Sequence, residues 1–245
     1  IVDIAGLVKG ASKGEGLGNK FLANIRETDA IIHVLRCFDN DNIVHVDGSV
    51  DPIRDKETID IELQLKDLEA VDKKLQKYEK LSRTGDKDSR KVADVLAKYK
   101  SHLESGQSVR SIDLEEKEKE HVADLMLLTD KPIMYVCNVD ESAIQVGNKH
   151  VDRVKEIVKS ENASVLVIAA STEADIAELD SYEERQMFLE DMGLKEPGVN
   201  KVIKSSYDLL NLSTYFTAGV KEVRAWTIKV GMKAPQAAGV IHSDF

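Results

Sequence analysis

Aromatic residues make up only 5% of this 245-residue chain, and cysteine occurs twice. Cys37 and Cys137 are far apart in the chain, each inside an apolar run. That pattern excludes a disulfide-stapled scaffold and reads as two buried thiols in a reducing compartment. No apolar run approaches the length of a bilayer span and no secretory leader is visible, so the expectation is a cytoplasmic protein with no membrane partner. Positive charge is in deficit, with a formal net charge of -10. The chain as a whole is therefore no DNA or RNA binder, and any RNA contact has to use a local patch. His33, His45, His102, His121, His150 and His242 are scattered, with no Cys or second His at ligand spacing, so no zinc site is read. There is no G-x-x-x-x-G-K-[ST] run to cradle phosphates, and the chain opens on Ile1 rather than Met.

What is present is ordinary for a globular protein, with 42% hydrophobic and 32% charged residues. The length suits one large or two smaller domains with a sizeable core. Three short Val/Ile-rich runs, 30–38, 132–139 and 164–171, read as parallel strands covered on both faces, and the opening IVDIA reads as a fourth. Between them, Leu17, Phe21 and Ile25, then Val151, Val154, Ile157 and Val158, mark amphipathic helices. Strand alternating with helix predicts an α/β domain with a mostly parallel sheet.

From about Thr58 to Leu128 the rhythm changes. Ile61, Leu65, Leu68, Val71, Leu75, Tyr78 and Leu81 recur at steps of three and four, Gly85-Asp86 interrupts, and Val92, Val95, Leu96, Tyr99 and Leu103 resume. This predicts two antiparallel helices projecting from the α/β domain, with most of their charges forming a solvated face. After about Leu212 the run EVRAWTI reads as extended and Ala234-Pro235 as a helix start, as in a small α+β module. There Lys221, Arg224, Lys229 and Lys233 are either a local RNA-facing patch or surface lysines with one packed arginine. Arg26 and Arg36 read as structural ion-pair partners.

Two motifs carry chemistry. Asp3-Ile4-Ala5-Gly6 follows a strand-like run, where an Asp can hold Mg²⁺ through water and a Gly amide can meet a terminal phosphate. The glycines Gly6, Gly10, Gly14, Gly16 and Gly18 make the following loop either a phosphate-ordered switch or a plain mobile loop. Asn138-Val139-Asp140-Glu141 ends the second strand, where open α/β sheets bind ligands. Guanine-specific domains carry N-K-x-D there. Here Val139 replaces the Lys and Glu141 the Asp whose carboxylate grips the guanine amine. Adenine lacks that amine, so the exchange favours adenine over guanine. Ala169-Ala170-Ser171, at the end of the third strand, lets a base approach backbone amides.

These stretches together resemble the YchF/Obg-like ATPase family of P-loop NTPases. DIAGLVKGASKGEGLGNKFLANIRETDAIIHVLRCF is similar to its switch II with the next helix and strand, NVDE to its altered base motif, and the final TYFTAGVKEVRAWTIKVGMKAPQAAGVIHSDF to the start of its TGS domain. The resemblance implies a nucleotide-binding G domain at 1–57 and 129–212, a helical coiled-coil insertion at 58–128, and the start of a ubiquitin-like α+β TGS domain at 213–245. It implies a first strand and Walker A loop preceding this stretch, so the chain as it stands is expected to be truncated at both ends and inactive alone. It further implies Mg²⁺-dependent hydrolysis of ATP in preference to GTP, and association with the ribosome or a ribosomal subunit, with tRNA or rRNA contact, in translation or stress regulation. The nucleotide residues so implied are Asp3, Gly6, Asn138, Val139, Glu141, Ala170 and Ser171, with Asp3 also the Mg²⁺ residue through water. Leu7 stands where Ras-like enzymes carry a water-orienting Gln, which predicts slow intrinsic hydrolysis. The alternative is a non-catalytic module that binds the ribosome or another protein and uses nucleotide as a switch.

Overall fold

The computed structural model describes residues 1–4, 10, 17–161, 163–242 and 244, with backbone alone for 17–20. The chain runs α1 (Leu17–Arg26), β1 (Ile31–Arg36), α2 (Pro52–Ser82), α3 (Lys87–Glu104), α4 (Glu116–Lys119), β2 (Ile133–Asn138), α5 (Lys149–Val158), β3 (Ser164–Ile168), α6 (Ala170–Glu178), α7 (Tyr182–Asp191), α8 (Gly198–Leu209), β4 (Leu212–Ala218), β5 (Val223–Lys229) and α9 (Ala234–Gly239). The expected parallel α/β sheet is present: β1, β2 and β3 pair in parallel in that order, with Arg36 opposite Asn138 and Asn138 opposite Ile168. A second, antiparallel pair joins β4 to β5, with Tyr215 opposite Trp226.

One face of the parallel sheet is covered by α2 and α5. Leu35, Cys37, Tyr135, Cys137 and Val139 meet Ile53 of α2 and Val151, Val154 and Val158 of α5 in one buried cluster. Ile157, expected on that stripe, is 40% exposed. The expectation that β1 is covered on both faces fails, since Val34 is 60% exposed. No helix among the described residues packs over that side of the edge strand. The opening strand is also absent: Ile1–Ile4 carry no strand pairing, and Ile1 and Val2 are exposed. A strand needs a ladder partner for its N–H and C=O groups, and none reaches this stretch among the described residues.

α2 starts at Pro52, earlier than the apolar repeat indicates, because Asp51 caps it through the Ile53 and Arg54 amides and Pro52 fits the first turn. It is 31 residues long, roughly 46 Å at the usual helical rise. Its two halves bury different things. The second half packs Val71 and Leu75 against Val95, Leu96, Tyr99 and Leu103 of α3, after a turn in which Gly85 adopts φ +91° and Asp86 caps α3. The first half lies against the sheet. Ile61 and Leu65, expected in the seam, are therefore exposed, as is Leu81 near the turn. The buried stripe there includes Lys56, Glu62 and Asp67, charged residues that an apolar repeat cannot reveal.

Each of these charges has partners. Lys56 Nζ lies 2.6 Å from both Asp60 Oδ2 and Glu161 Oε1, and 5.3 Å from the centre of the Tyr135 ring. The Tyr135 hydroxyl donates to Glu161 Oε2 at 2.6 Å. Asp67, fully buried, accepts from the Leu128 amide at 2.8 Å and from the Thr129 amide and hydroxyl, each at 2.7 Å. The Thr129 hydroxyl oxygen in turn accepts from the Val109 amide at 3.0 Å. Asp67 thus pins the chain where it leaves the hairpin to enter β2.

Two stability predictions follow from these buried groups. Asp67→Ala leaves three buried donors unpaired and is expected to cost about 3 kcal/mol in urea unfolding; Thr129→Val, which removes one donor and one acceptor, costs less. His33 packs 5.7 Å from the Tyr135 ring, and burial, then the Lys56 and Arg110 charges, lower its pKa to about 4 against the opposing pull of Glu161 and Asp55. In the unfolded chain it titrates near 6.5. The unfolded state therefore takes up a proton that the native state refuses, and stability falls as pH drops from about 6.5 toward 4. His33→Gln is expected to flatten this fall, by up to about 1.4 kcal/mol per pH unit, in urea midpoints compared with the parent.

Candidate functional site at the carboxyl edge of the parallel sheet

The ends of β1, β2 and β3 open onto one edge, and side chains knit the loops that leave it. Asn138, the last residue of β2, accepts the Ala170 amide on Oδ1 at 2.9 Å. That bond fixes its amide orientation. It also caps α6, since Ala169 at the cap position has no side chain to do so. Two donors on Asn138 Nδ2 stay free among the described residues. The Ser171 amide, in the first turn of α6, is likewise unpaired among the described residues, and both Ala170 and Ser171 are exposed. The edge thus offers a side-chain NH₂ and a helix-start amide to acceptors on a ligand, an arrangement suited to the rim of a purine.

The rest of the NVDE stretch is divided by its surroundings. Val139 is 2% exposed and packed in the core cluster, so its side chain lines no ligand surface; its expected place beside the base is corrected to a core position. The alternation of the strand continues one residue past β2 and carries Val139 inward. Asp140 spends its carboxylate on the Ser142 hydroxyl at 2.6 Å and the Ala143 amide at 3.1 Å, starting a short 3-10 turn. Glu141, the first residue of that turn, is exposed, and its carboxylate has no partner among the described residues. Asp3 is exposed in the unpaired opening stretch and forms no bond to Asn138 or Ala170 among the described residues. Gly6 and Leu7 lie outside the described residues. Gly10 is described, at φ +88°, and its amide donates to Glu62 Oε1 of α2 at 2.6 Å.

Sequence reasoning missed the residue that shapes the neighbouring loop. Arg36 ends β1 beside Asn138, and no acid pairs with it among the described residues, which corrects the expected ion pair. Instead its guanidinium donates to three backbone carbonyls: Phe38 O at 3.2 Å, Asn40 O at 3.1 Å and Ile43 O at 2.9 Å. It also stacks 4.7 Å from the Phe38 ring centre. Asn148, the cap of α5, donates to Cys37 O at 2.7 Å and ties the same loop from the other side. Asn before a periodic run is a legible cap signal; an arginine that binds carbonyls rather than an acid leaves no such trace. Arg26 also has no acid partner among the described residues, and its Nε is buried there without a hydrogen bond.

Two sets of residues bear on cation binding. A lone exposed carboxylate such as Asp3 supplies the hard oxygen that hydrated Mg²⁺ takes. His45, Asp47 and Asp55 bring ligand atoms within 4.8 Å of one another. However, His45 Nδ1 accepts the Asp47 amide at 3.1 Å, Nε2 faces Asp55 Oδ2 at 2.9 Å, and Arg54 lies 2.9 Å from Asp55 Oδ1. Both ring nitrogens are occupied and a guanidinium already supplies the positive charge, so this cluster clasps the loop to the start of α2 and does not suit a metal. In the C-terminal module, Lys221, Arg224, Lys229 and Lys233 are all exposed, and Arg224 stacks 4.2 Å over Trp226.

The parallel sheet, the loops gathered at its carboxyl edge and the helical hairpin inserted between its first two strands define an α/β protein of the P-loop NTPase class. Residues 212–245 match the family model YchF-GTPase_C, described as a protein of unknown function (DUF933). The chain is 55% identical to "Ribosome-binding ATPase YchF" of Bacillus subtilis (strain 168) over 245 residues, covering 99% of this chain and 67% of that protein. Against the protein of that name from Escherichia coli O157:H7 it is 55% identical over 244 residues, again with 67% of the relative covered. The solved Schizosaccharomyces pombe YchF GTPase superposes with a TM-score of 0.84 at 38% identity, over 98% of this chain and 65% of that one. The chain belongs to the YchF family, and it spans about two thirds of the length of these relatives.

Replacing Arg36 with Lys keeps the charge but loses the fork that holds three carbonyls at once. Amide exchange across Phe38–Ile43 is expected to accelerate about tenfold or more in Arg36→Lys, with the core of β2 unchanged.

Proposed function

We propose that this chain is the larger part of a cytoplasmic, ribosome-associated hydrolase that binds ATP in preference to GTP and needs Mg²⁺. Its relatives' names divide between ATPase and GTPase, so the base preference is argued from this chain's own residues. The observation that supports purine binding at this edge is the geometry of Asn138, which spends its oxygen on Ala170 and keeps its NH₂ for a ligand. A donor there suits purine N7, an acceptor that adenine and guanine share. Discrimination then falls to Glu141, whose carboxylate is one carbon longer than the Asp that grips the guanine amine. With Val139 in the core, no lysine packs along the base either. A purine that leaves a polar group unpaired at such a site loses heavily.

In this reading Asn138 orients the base, the Ala170–Ser171 turn meets its edge, and the Gly6 amide meets the terminal phosphate. Asp3 would hold Mg²⁺ through water, and the ion, when bound, neutralises phosphate charge. Leu7 cannot orient a water by hydrogen bonding, so unassisted hydrolysis is slow. Residues 1–57 with 129–212 form the nucleotide-binding unit, 58–128 the helical insertion, and 213–245 the start of a TGS domain.

Equilibrium binding of ATP and of GTP to the full-length protein with Mg²⁺ tests the reading. ATP is expected to bind at least tenfold more tightly, and equal or tighter GTP binding overturns the base assignment. Asn138→Ala, which also removes the cap of α6, is expected to weaken ATP about tenfold or more and to lower the melting temperature by a few degrees while the domain stays folded; unchanged ATP affinity would remove Asn138 from the site.

A further inference from the structure

The charges of the helical hairpin are distributed in two ways. Along the shaft most lysines are paired: Lys98 with Glu118 at 2.6 Å, Lys100 with Asp72 at 2.5 Å, Lys66 with Glu69 at 2.6 Å, and Lys74 with Asp124, while exposed Lys73 has no ion pair among the described residues. At the tip most are unpaired. Residues 77–91 carry Lys77, Lys80, Arg83, Lys87, Arg90 and Lys91 against Glu79, Asp86 and Asp88, a local excess of three positive charges in a chain of net -10. All six cations are exposed. Lys91 pairs with Asp88 at 3.2 Å, and Lys77 lies 5.8 Å from the Tyr78 ring. Asp86 is committed to the Asp88 and Ser89 amides and the Ser89 hydroxyl. The side chains of Lys80, Arg83, Lys87 and Arg90 form no hydrogen bond, ion pair or ring contact among the described residues.

Folding does not call for this placement. Lys80 and Arg83 close α2 at its negative dipole end, where cations are welcome. Lys87 and Arg90 lie in the first turn of α3, at its positive end, where they are disfavoured by some tenths of a kcal/mol each. Clustered cations also repel one another. A surface that gathers unpaired charge at such a cost to the helix, at the end of an arm roughly 46 Å long, is complementary to a dense array of negative charge outside the molecule.

We propose that the hairpin tip, through Lys80, Arg83, Lys87 and Arg90, docks on the phosphate backbone of ribosomal RNA. The proposal rests on the ribosome reading above and names the surface and the chemistry that serve it. The mixed Arg/Lys set suits phosphates, with the arginines able to bind bidentately. Phosphate contacts give position and affinity rather than base sequence.

The test compares the full-length protein with a variant carrying Lys80→Gln, Arg83→Gln, Lys87→Gln and Arg90→Gln. Two probes are used, purified ribosomal particles and the protein-free RNA extracted from them, each titrated between 50 and 200 mM salt. Loss of four phosphate contacts is expected to weaken binding to both probes at least tenfold and to reduce the slope of log K against log salt by roughly 3. Nucleotide turnover without ribosomes, and the melting temperature, are expected to stay unchanged, since the substitutions relieve repulsion at the start of α3. Unchanged binding of the variant to both probes overturns the proposal. Weakened binding to particles alone places the contact on a ribosomal protein and overturns it as well. A parent protein that binds extracted RNA but not particles refutes the ribosome reading, while the tip is still judged by the variant on RNA. The charge-keeping pair Lys80→Arg and Lys87→Arg is expected to bind as the parent does; a loss there equal to the neutral variant's overturns the charge argument.

Discussion

The structure depends on a helix that carries charged side chains into dry surroundings and satisfies each of them. α2 buries Lys56 against the sheet and Asp67 against the strand that enters β2. Neither position is replaceable by a generic apolar residue without stranding partners. Glu161 and the Tyr135 hydroxyl face Lys56, and three donors converge on Asp67. Burial opposes the Lys56 charge, and the Asp60 and Glu161 carboxylates outweigh it, so its pKa lies above the ordinary lysine value. Such pairs add little net stability over an apolar core, but losing one partner is costly. Their effect is to fix one register of α2 on the sheet.

That register has consequences in both directions along the helix. At its start, His45, Arg54 and Asp55 clasp the loop that leaves β1, and Asp51, besides capping the helix, meets Arg153 of α5 at 3.2 Å. The same loop is held at its other end by Arg36, next to Asn138. Further along, Glu62 takes the Gly10 amide from the glycine-rich stretch. Gly10 and the loop after β1 are therefore both tied to α2.

Much of this fold was legible. Val/Ile runs marked β1, β2 and β3, although of the three only β2 is buried nearly throughout, as an apolar strand among helices is expected to be. Gly85-Asp86 marked the hairpin turn because φ +91° needs glycine and α3 needs a cap. What stayed hidden was set by partners rather than by pattern. Lys56 and Asp67 look like solvated helix charges until Glu161 and Thr129 are brought to them. α6, α7 and α8 carry mixed faces and short lengths that no single period describes. Gly198 illustrates why: a Cβ there would stand 2.7 Å from Glu173 Oε1, because Glu173 caps α8 through the Gly198 and Val199 amides. The glycine is needed for a contact made by a residue 25 positions away. At the candidate site, the position of Asn138 was readable from the end of a strand, while the inward turn of Val139 and the grip of Arg36 on three carbonyls were not.

A rigid spine joined to ligand loops at one end and to an unpaired cationic tip at the other imposes a mechanical relation between them. Ridges of Val71 and Leu75 interlock with Leu96 and Tyr99, so α2 and α3 move as one body. The first half of α2 is bonded to the loop that leaves β1 and to the Gly10 amide. A displacement of either segment strains these part-buried bonds before it disturbs the buried contacts of Lys56 and Asp67. A small rotation at Asp51 becomes a displacement of several ångströms across roughly 46 Å of helix. On the nucleotide reading proposed above, a ligand that moves these segments would also move the tip, and by linkage a partner at the tip would act back on the ligand.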